Sequence, residues 1–154
     1  MITERMGVEE RKAKGRDTRE RTPRQSLGQF AERPAEYDAV GRLIAQGEHR
    51  VASLLPIRYQ RMLESPLAFY RGAALLMADD LARGASTDLE VQICGDAHLS
   101  NFGIFSSPER QLVFDVNDFD ETETGPFEWD VKRLVTSLVI SSEQLGHRAK
   151  QQEN

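Results

Sequence analysis

The chain has 154 residues, 39% hydrophobic and 29% charged, with 25 acidic against 20 basic side chains and a net charge of −5. That length supports one domain with a modest core, and the acidic balance argues against a dedicated nucleic-acid binder, which carries a basic excess on one face. A single cysteine (Cys94) excludes an internal disulfide framework, residues 1–5 hold no apolar leader, and the longest apolar run, Ala73 to Ala78, is too short to cross a bilayer; a cytoplasmic protein with no membrane partner is expected.

Charge is spread unevenly. Residues 1–34 hold nine basic and six acidic side chains and few large apolar ones, which predicts a flexible charged arm ahead of a domain covering residues 35–154. A first helix is predicted from Glu36 to Gln46, with Val40, Leu43 and Ile44 on one stripe and Gly47 ending it. Ser65 as cap, Pro66 at the first helical position and Gly84 at the far end predict one long, mostly buried helix carrying Phe69, Ala73, Leu76, Met77 and Leu81. The period then changes: Leu89, Val91 and Ile93 alternate with polar residues, a strand that ends at Gly95. A loop from Asp96 to Ser100 leads into two short strands, Phe102 to Phe105 and Gln111 to Phe114, joined by a turn. Asn117 to Gly125 reads as a polar loop, and Pro126 opens a helix with Trp129, Val131, Leu134, Val135, Leu138 and Val139 running towards Leu145. No later element covers that helix's apolar face, so the chain is expected to be part of something longer. The fold class is α+β.

Residues 88–130 hold eleven acids and one base, a density that invites divalent cations. Within them run Cys94-Gly95-Asp96-Ala97-His98-Leu99-Ser100-Asn101 and Asp115-Val116-Asn117-Asp118-Phe119-Asp120. A carboxylate at a strand end (Asp96) can accept a hydroxyl proton, Asn101 five residues on can offer its carbonyl oxygen to a hard cation, and a hairpin can return a second carboxylate beside it. Phosphoryl transfer needs little more than metal, positioning and a base near the acceptor hydroxyl.

The Gly-Asp-x-His-x-x-Asn pattern, followed by Asp118-Phe119-Asp120, Gly125-Pro126 and Asp130, resembles the catalytic loop and metal-binding stretch of the protein-kinase-like superfamily, aminoglycoside and homoserine kinases in particular. Together with Ser65 to Ala74 and Phe127 to Leu134, it resembles more closely a bacterial family, domain of unknown function 2252. The resemblance spans roughly residues 35 to 145 and implies a partial kinase-like fold, with this chain an N-terminal portion that is not active alone. It implies Asp96 as the catalytic carboxylate, Asn101 and Asp118 as ligands of Mg²⁺ or Mn²⁺, Asp120 as an accessory ligand, and Asp130 as a structural tie, with ATP as cofactor and a hydroxyl compound as second substrate. Spacing across a minimal hairpin points instead to Asp115 as the second metal carboxylate, while the downstream Gly-Pro-Asp spacing favours Asp118.

Two departures stand out. Cys94 occupies the position where the phosphotransferases commonly place His to brace the loop. No Gly-x-Gly run exists, and none of the lysines (Lys12, Lys14, Lys132 and Lys150) lies in a strand pattern ahead of the catalytic loop, so the usual nucleotide clamp is absent, built differently, or encoded beyond residue 154. His98 and Arg71 are candidate substrate or phosphate contacts. His98 as a metal ligand defines a rival reading, a metal-dependent phosphoesterase; a non-catalytic kinase-like module is the third.

Overall fold

The computed structural model describes residues 6–146. In chain order the helices are α1 (Val8–Arg21), α2 (Arg24–Leu27), α3 (Ala39–Gly47), α4 (Leu55–Met62), α5 (Pro66–Gly72) and α6 (Ala74–Leu81). Strands β1 (Glu90–Ile93), β2 (Phe102–Ser106), β3 (Leu112–Val116) and β4 (Glu123–Pro126) follow, and α7 (Glu128–Gln144) completes an α+β arrangement. Strand β1 pairs with β4 and β2 with β3, both antiparallel, in two separate two-stranded sheets. Among the described residues no helix is long and apolar enough to cross a membrane.

Several elements differ from the sequence expectations. Residues 8–21 form a helix where a flexible arm is predicted. Helix α1 is polar on every side, but Glu, Arg and Lys are good helix formers, Thr18 is buried, and the Thr22 hydroxyl donates to the Ser86 carbonyl at 3.2 Å. The helix predicted to start at Glu36 starts at Ala39, because the Asp38 carboxylate caps it by accepting from the Gly41 amide at 2.8 Å. Of its apolar stripe only Leu43 packs inward; Val40 and Ile44 stay exposed.

The long helix predicted between Ser65 and Gly84 is two helices that break at Ala73 (φ −116°, ψ 34°). Two arginines take carbonyls at the break: Arg58 Nη2 donates to the Gly72 carbonyl at 2.6 Å, and Arg133 Nη2 donates to the Tyr70 carbonyl at 3.1 Å. Met62 packs against Gly72, where a Cβ would lie 2.6 Å from its Cγ. The small core sits at this corner: Met62, Ala73 and Leu76 are buried, with Tyr37, Ala39, Leu43 and Tyr59 packed around them. Phe69, expected inside, is 43% exposed.

The polar stretch 117–125 is not all loop. Glu123–Pro126 pairs with β1 in the register Glu90↔Pro126 to Ile93↔Glu123, and Thr122 Oγ1 donates to the Ile93 carbonyl at 2.7 Å. Backbone pairing needs no apolar side chains, which is why composition hides this strand. The β2–β3 hairpin pairs Phe102 with Val116 and Gly103 with Asp115, and its ladder continues through the Asn117 amide to the Asn101 carbonyl at 2.9 Å. Helix α7 starts at Glu128, two residues after Pro126, and leaves Val131, Val135, Leu138 and Val139 exposed. The tail beyond residue 146 lies outside the described residues.

Candidate functional site

The loop after β1 is held from below by α7. The Asp130 carboxylate, in the first turn of α7, accepts hydrogen bonds from the Cys94 amide at 2.7 Å and the Gly95 amide at 3.1 Å. Gly95 takes φ +81°, and a Cβ there would collide with the Glu121 carbonyl; the turn therefore requires glycine. One helical turn further along α7, Arg133 forms an ion pair with Asp96, its Nε donating to Oδ1 at 2.6 Å and its Nη2 contacting the same oxygen. Two turns on from Asp130, Ser137 Oγ accepts from the Leu99 amide at 2.8 Å and donates to the Leu134 carbonyl at 2.7 Å. Residues 130, 133 and 137 share one helix face. That face fixes the whole loop from Cys94 to Leu99.

Arg133 is only 2% exposed. Its guanidinium also lies over the Tyr70 ring, 4.6 Å from the centroid, while the Tyr70 hydroxyl donates to the Arg133 carbonyl at 3.0 Å. A buried cation of this kind is tolerated because its charge, donors and flat face are all matched. The result is an Asp96 carboxylate of set orientation at the floor of a cavity.

That cavity, of about 190 Å³, is lined by Asp96, Asn101, Asp118 and Asp120 among others. Arg50, Arg58, Arg71 and Glu121 line the same cavity. Asn101 is buried, and its Nδ2 donates to the Asp96 carbonyl at 3.2 Å and the Asp118 carbonyl at 3.1 Å. Its Oδ1 has no hydrogen-bond donor among the described residues, so a lone-pair oxygen is left for something else. Asp118 Oδ1 accepts from the Asp120 amide at 3.0 Å, a local turn that keeps both carboxylates at the rim. Asp115 lies elsewhere: it sits in β3 opposite Gly103, its side chain accepts from its neighbouring Val116 amide at 2.8 Å, and it does not line the cavity. Of the two registers left open by spacing, the fold brings Asp118 rather than Asp115 to Asn101 and Asp96.

Cys94 is buried, and burial pushes its thiol pKa up, which suits a packing and hydrogen-bonding role rather than a nucleophile. Its Sγ lies 3.5 Å from both Asn101 Nδ2 and the Asp118 carbonyl oxygen, so it braces the loop from within. His98 is also buried. Its Nε2 lies 3.7 Å from Asp96 Oδ2, and its Nδ1 has no partner among the described residues. Burial lowers its pKa, opposed by Asp96 and reinforced by Arg133 and Arg71. His98 lines a second, larger cavity that shares Arg50, Arg58, Arg71, Asp96 and Asp118 with the first. Among the described residues no three His, Cys, Asp or Glu side chains converge as a metal cluster.

Three residues of this site escape the sequence reading: Arg50, Arg58 and Arg133. Arg133 had a weak signal, because polar residues at positions 130, 133 and 137 fall on one face of α7. Arg50 and Arg58 had none, since they reach the cavity from the turn after α3 and from α4, some forty residues before the loop.

Fold and site define an α+β protein with a cavity lined by both acidic and arginine side chains. The chain belongs to the family described as uncharacterized protein conserved in bacteria (DUF2252), whose sequence profile matches residues 50–154. No curated protein and no solved structure matches it.

Proposed function

We propose that the cavity is the phosphotransfer site of a kinase-like enzyme that moves a phosphoryl group from ATP to a hydroxyl compound with the help of Mg²⁺. The observation that supports this reading is that Asp96, Asn101, Asp118 and Asp120 line one cavity together with Arg50, Arg58 and Arg71. The donor set suits the ion. Mg²⁺ takes oxygen ligands, is commonly held by one or two carboxylates, and completes its shell from water and substrate phosphate. Asn101 Oδ1 and the Asp118 carboxylate would hold it, with Asp120 at the rim. Bound there, the ion supplies neutralisation of charge on the phosphate oxygens.

The chain's own residues do the rest. Asp96, fixed by Arg133, accepts a hydrogen bond from the acceptor hydroxyl and aligns its oxygen for attack. Asp130 and Ser137 hold the backbone of that loop, so alignment is built in before substrate arrives. The phosphoesterase reading would need His98 as a metal ligand, and His98 does not line the cavity that Asn101, Asp118 and Asp120 share.

The test is made on the natural gene product that carries this chain. Calorimetry is expected to register ATP binding that strengthens with Mg²⁺, and Asp118→Ala to remove the Mg²⁺-dependent part. Asp96→Ala is expected to leave binding within about threefold and lower transfer to candidate alcohols by 10²–10⁴-fold, the usual span for a positioned acid–base group. Failure of the wild-type protein to bind nucleotide with or without Mg²⁺ defeats the proposal.

A further inference from the structure

No glycine-rich loop or strand lysine precedes the Asp96 loop, yet a phosphate chain in this cavity needs cations. Arg50, Arg58 and Arg71 line both cavities together with Asp96 and Asp118. They come from three places: Arg50 follows α3, Arg58 lies in α4, and Arg71 is in the last turn of α5. Arg58 and Arg71 have no carboxylate partner within 4.0 Å among the described residues, and Arg50 has one at 3.5 Å, an exposed contact with Glu121. Arg58 is half-buried and is oriented by its bond to the Gly72 carbonyl at 2.6 Å, at the break between α5 and α6. Of the carboxylates that line the same cavity, Asp96 is paired with Arg133 and Glu121 with Arg50, which leaves Arg58 and Arg71 with no carboxylate in direct contact among the described residues. Burial first and the nearby Arg50 second push the Arg58 pKa down, against the opposing pull of Glu121 and Asp96.

We infer that Arg50, Arg58 and Arg71 form a polyphosphate clamp, taking the place of a glycine-rich loop and lysine. The guanidinium fork suits phosphate oxygens, which it contacts in pairs. The clamp rests on the phosphotransfer reading for its purpose but not for its test, because an anion site binds without metal and without chemistry.

Binding of inorganic tripolyphosphate is measured by calorimetry on the natural gene product, in chelator and with no divalent ion. The wild-type protein is expected to bind it, and Arg71→Gln to weaken binding at least tenfold. Arg71 makes no hydrogen bond among the described residues, so its loss leaves the fold intact, checked by circular dichroism and melting temperature. Arg58→Gln is expected to weaken binding further but also to disturb the helix break. Arg110→Gln, in the β2–β3 turn away from the cavity, is the control for general charge and is expected to bind like wild type. The clamp is overturned if wild type fails to bind tripolyphosphate, or if Arg71→Gln and Arg110→Gln change binding equally. Tripolyphosphate binding that depends on Arg71, with no nucleotide bound, keeps the clamp and removes the phosphotransfer proposal. Nucleotide-dependent transfer that survives Arg71→Gln, without tripolyphosphate binding, does the reverse.

Discussion

Asp130 carries much of the site without touching the cavity. Its two oxygens accept from consecutive amides, at 2.7 Å from Cys94 and 3.1 Å from Gly95, at the point where the chain turns through a positive φ. A carboxylate accepting backbone N–H groups makes bonds stronger than neutral ones, and its removal leaves two donors unpaired in a confined turn. Asp130→Ala is expected to lower stability by roughly 3 kcal/mol, about 1.5 per bond lost, read from the shift in urea midpoint. The companion Asp130→Asn keeps one acceptor and falls between. If Asp130→Ala unfolds at the wild-type midpoint, the tie between α7 and the loop is not what holds the turn.

At the scale of elements, the corner formed by α5 and α6 decides the geometry. Helix α5 begins with a strong stop and start signal: Ser65 Oγ accepts from the Ala68 amide at 3.1 Å and Pro66 follows. Ser65→Ala is expected to cost about 1 kcal/mol of stability, the usual worth of such a cap, measured by thermal or urea denaturation with Ser65→Thr close to wild type. The far end of α5 is set differently. Arg58 and Arg133 draw off the carbonyls of Gly72 and Tyr70, so the helix that apolar spacing would continue to Gly84 turns at Ala73. The turn holds Arg71 at the cavity and allows Arg133 to reach Asp96 beneath it.

Across the whole molecule, buried ionisable groups link stability to pH in two steps. For Glu128, burial alone would raise the carboxyl pKa, but bonds from the Thr87 amide at 2.7 Å and hydroxyl at 2.8 Å outweigh it and hold the group below its usual range. Asp79 is lowered chiefly by its Arg42 partner against the effect of burial, with the Tyr37 hydroxyl helping. Groups lowered in the fold lend stability above their unfolded pKa, about 4, and lose it as pH falls through the folded value. His98 adds an earlier step: burial lowers its folded pKa below the unfolded value of about 6.5, so protonation favours the unfolded chain as pH falls below that value. The urea midpoint is therefore expected to decline first below about pH 6.5 and again below about pH 4.5. His98→Gln removes the upper step and leaves the lower. A midpoint that holds level from pH 7 to pH 5 in the wild type contradicts the burial of a neutral His98.

The α+β class, the loop after β1, the β2–β3 hairpin and the stretch that brings Asp96, Asn101, Asp118 and Asp120 to the cavity were legible from residues 65 to 130. Local signals suffice there, because caps, prolines, strand alternation and short-range spacing act within a turn or two of the residues that carry them. The break at Ala73, the β4 strand through Glu123 and Thr124, and the arginines of the cavity were decided only by tertiary structure. Each depends on a partner distant in sequence: the Tyr70 carbonyl on Arg133, Glu123 on Ile93, the cavity on Arg50 and Arg58. The choice between Asp115 and Asp118 is of the same kind. Both spacings are sound along the chain, and only the folded hairpin, with Asp115 paired opposite Gly103, turns one of them away from the space that Asn101 and Asp96 share.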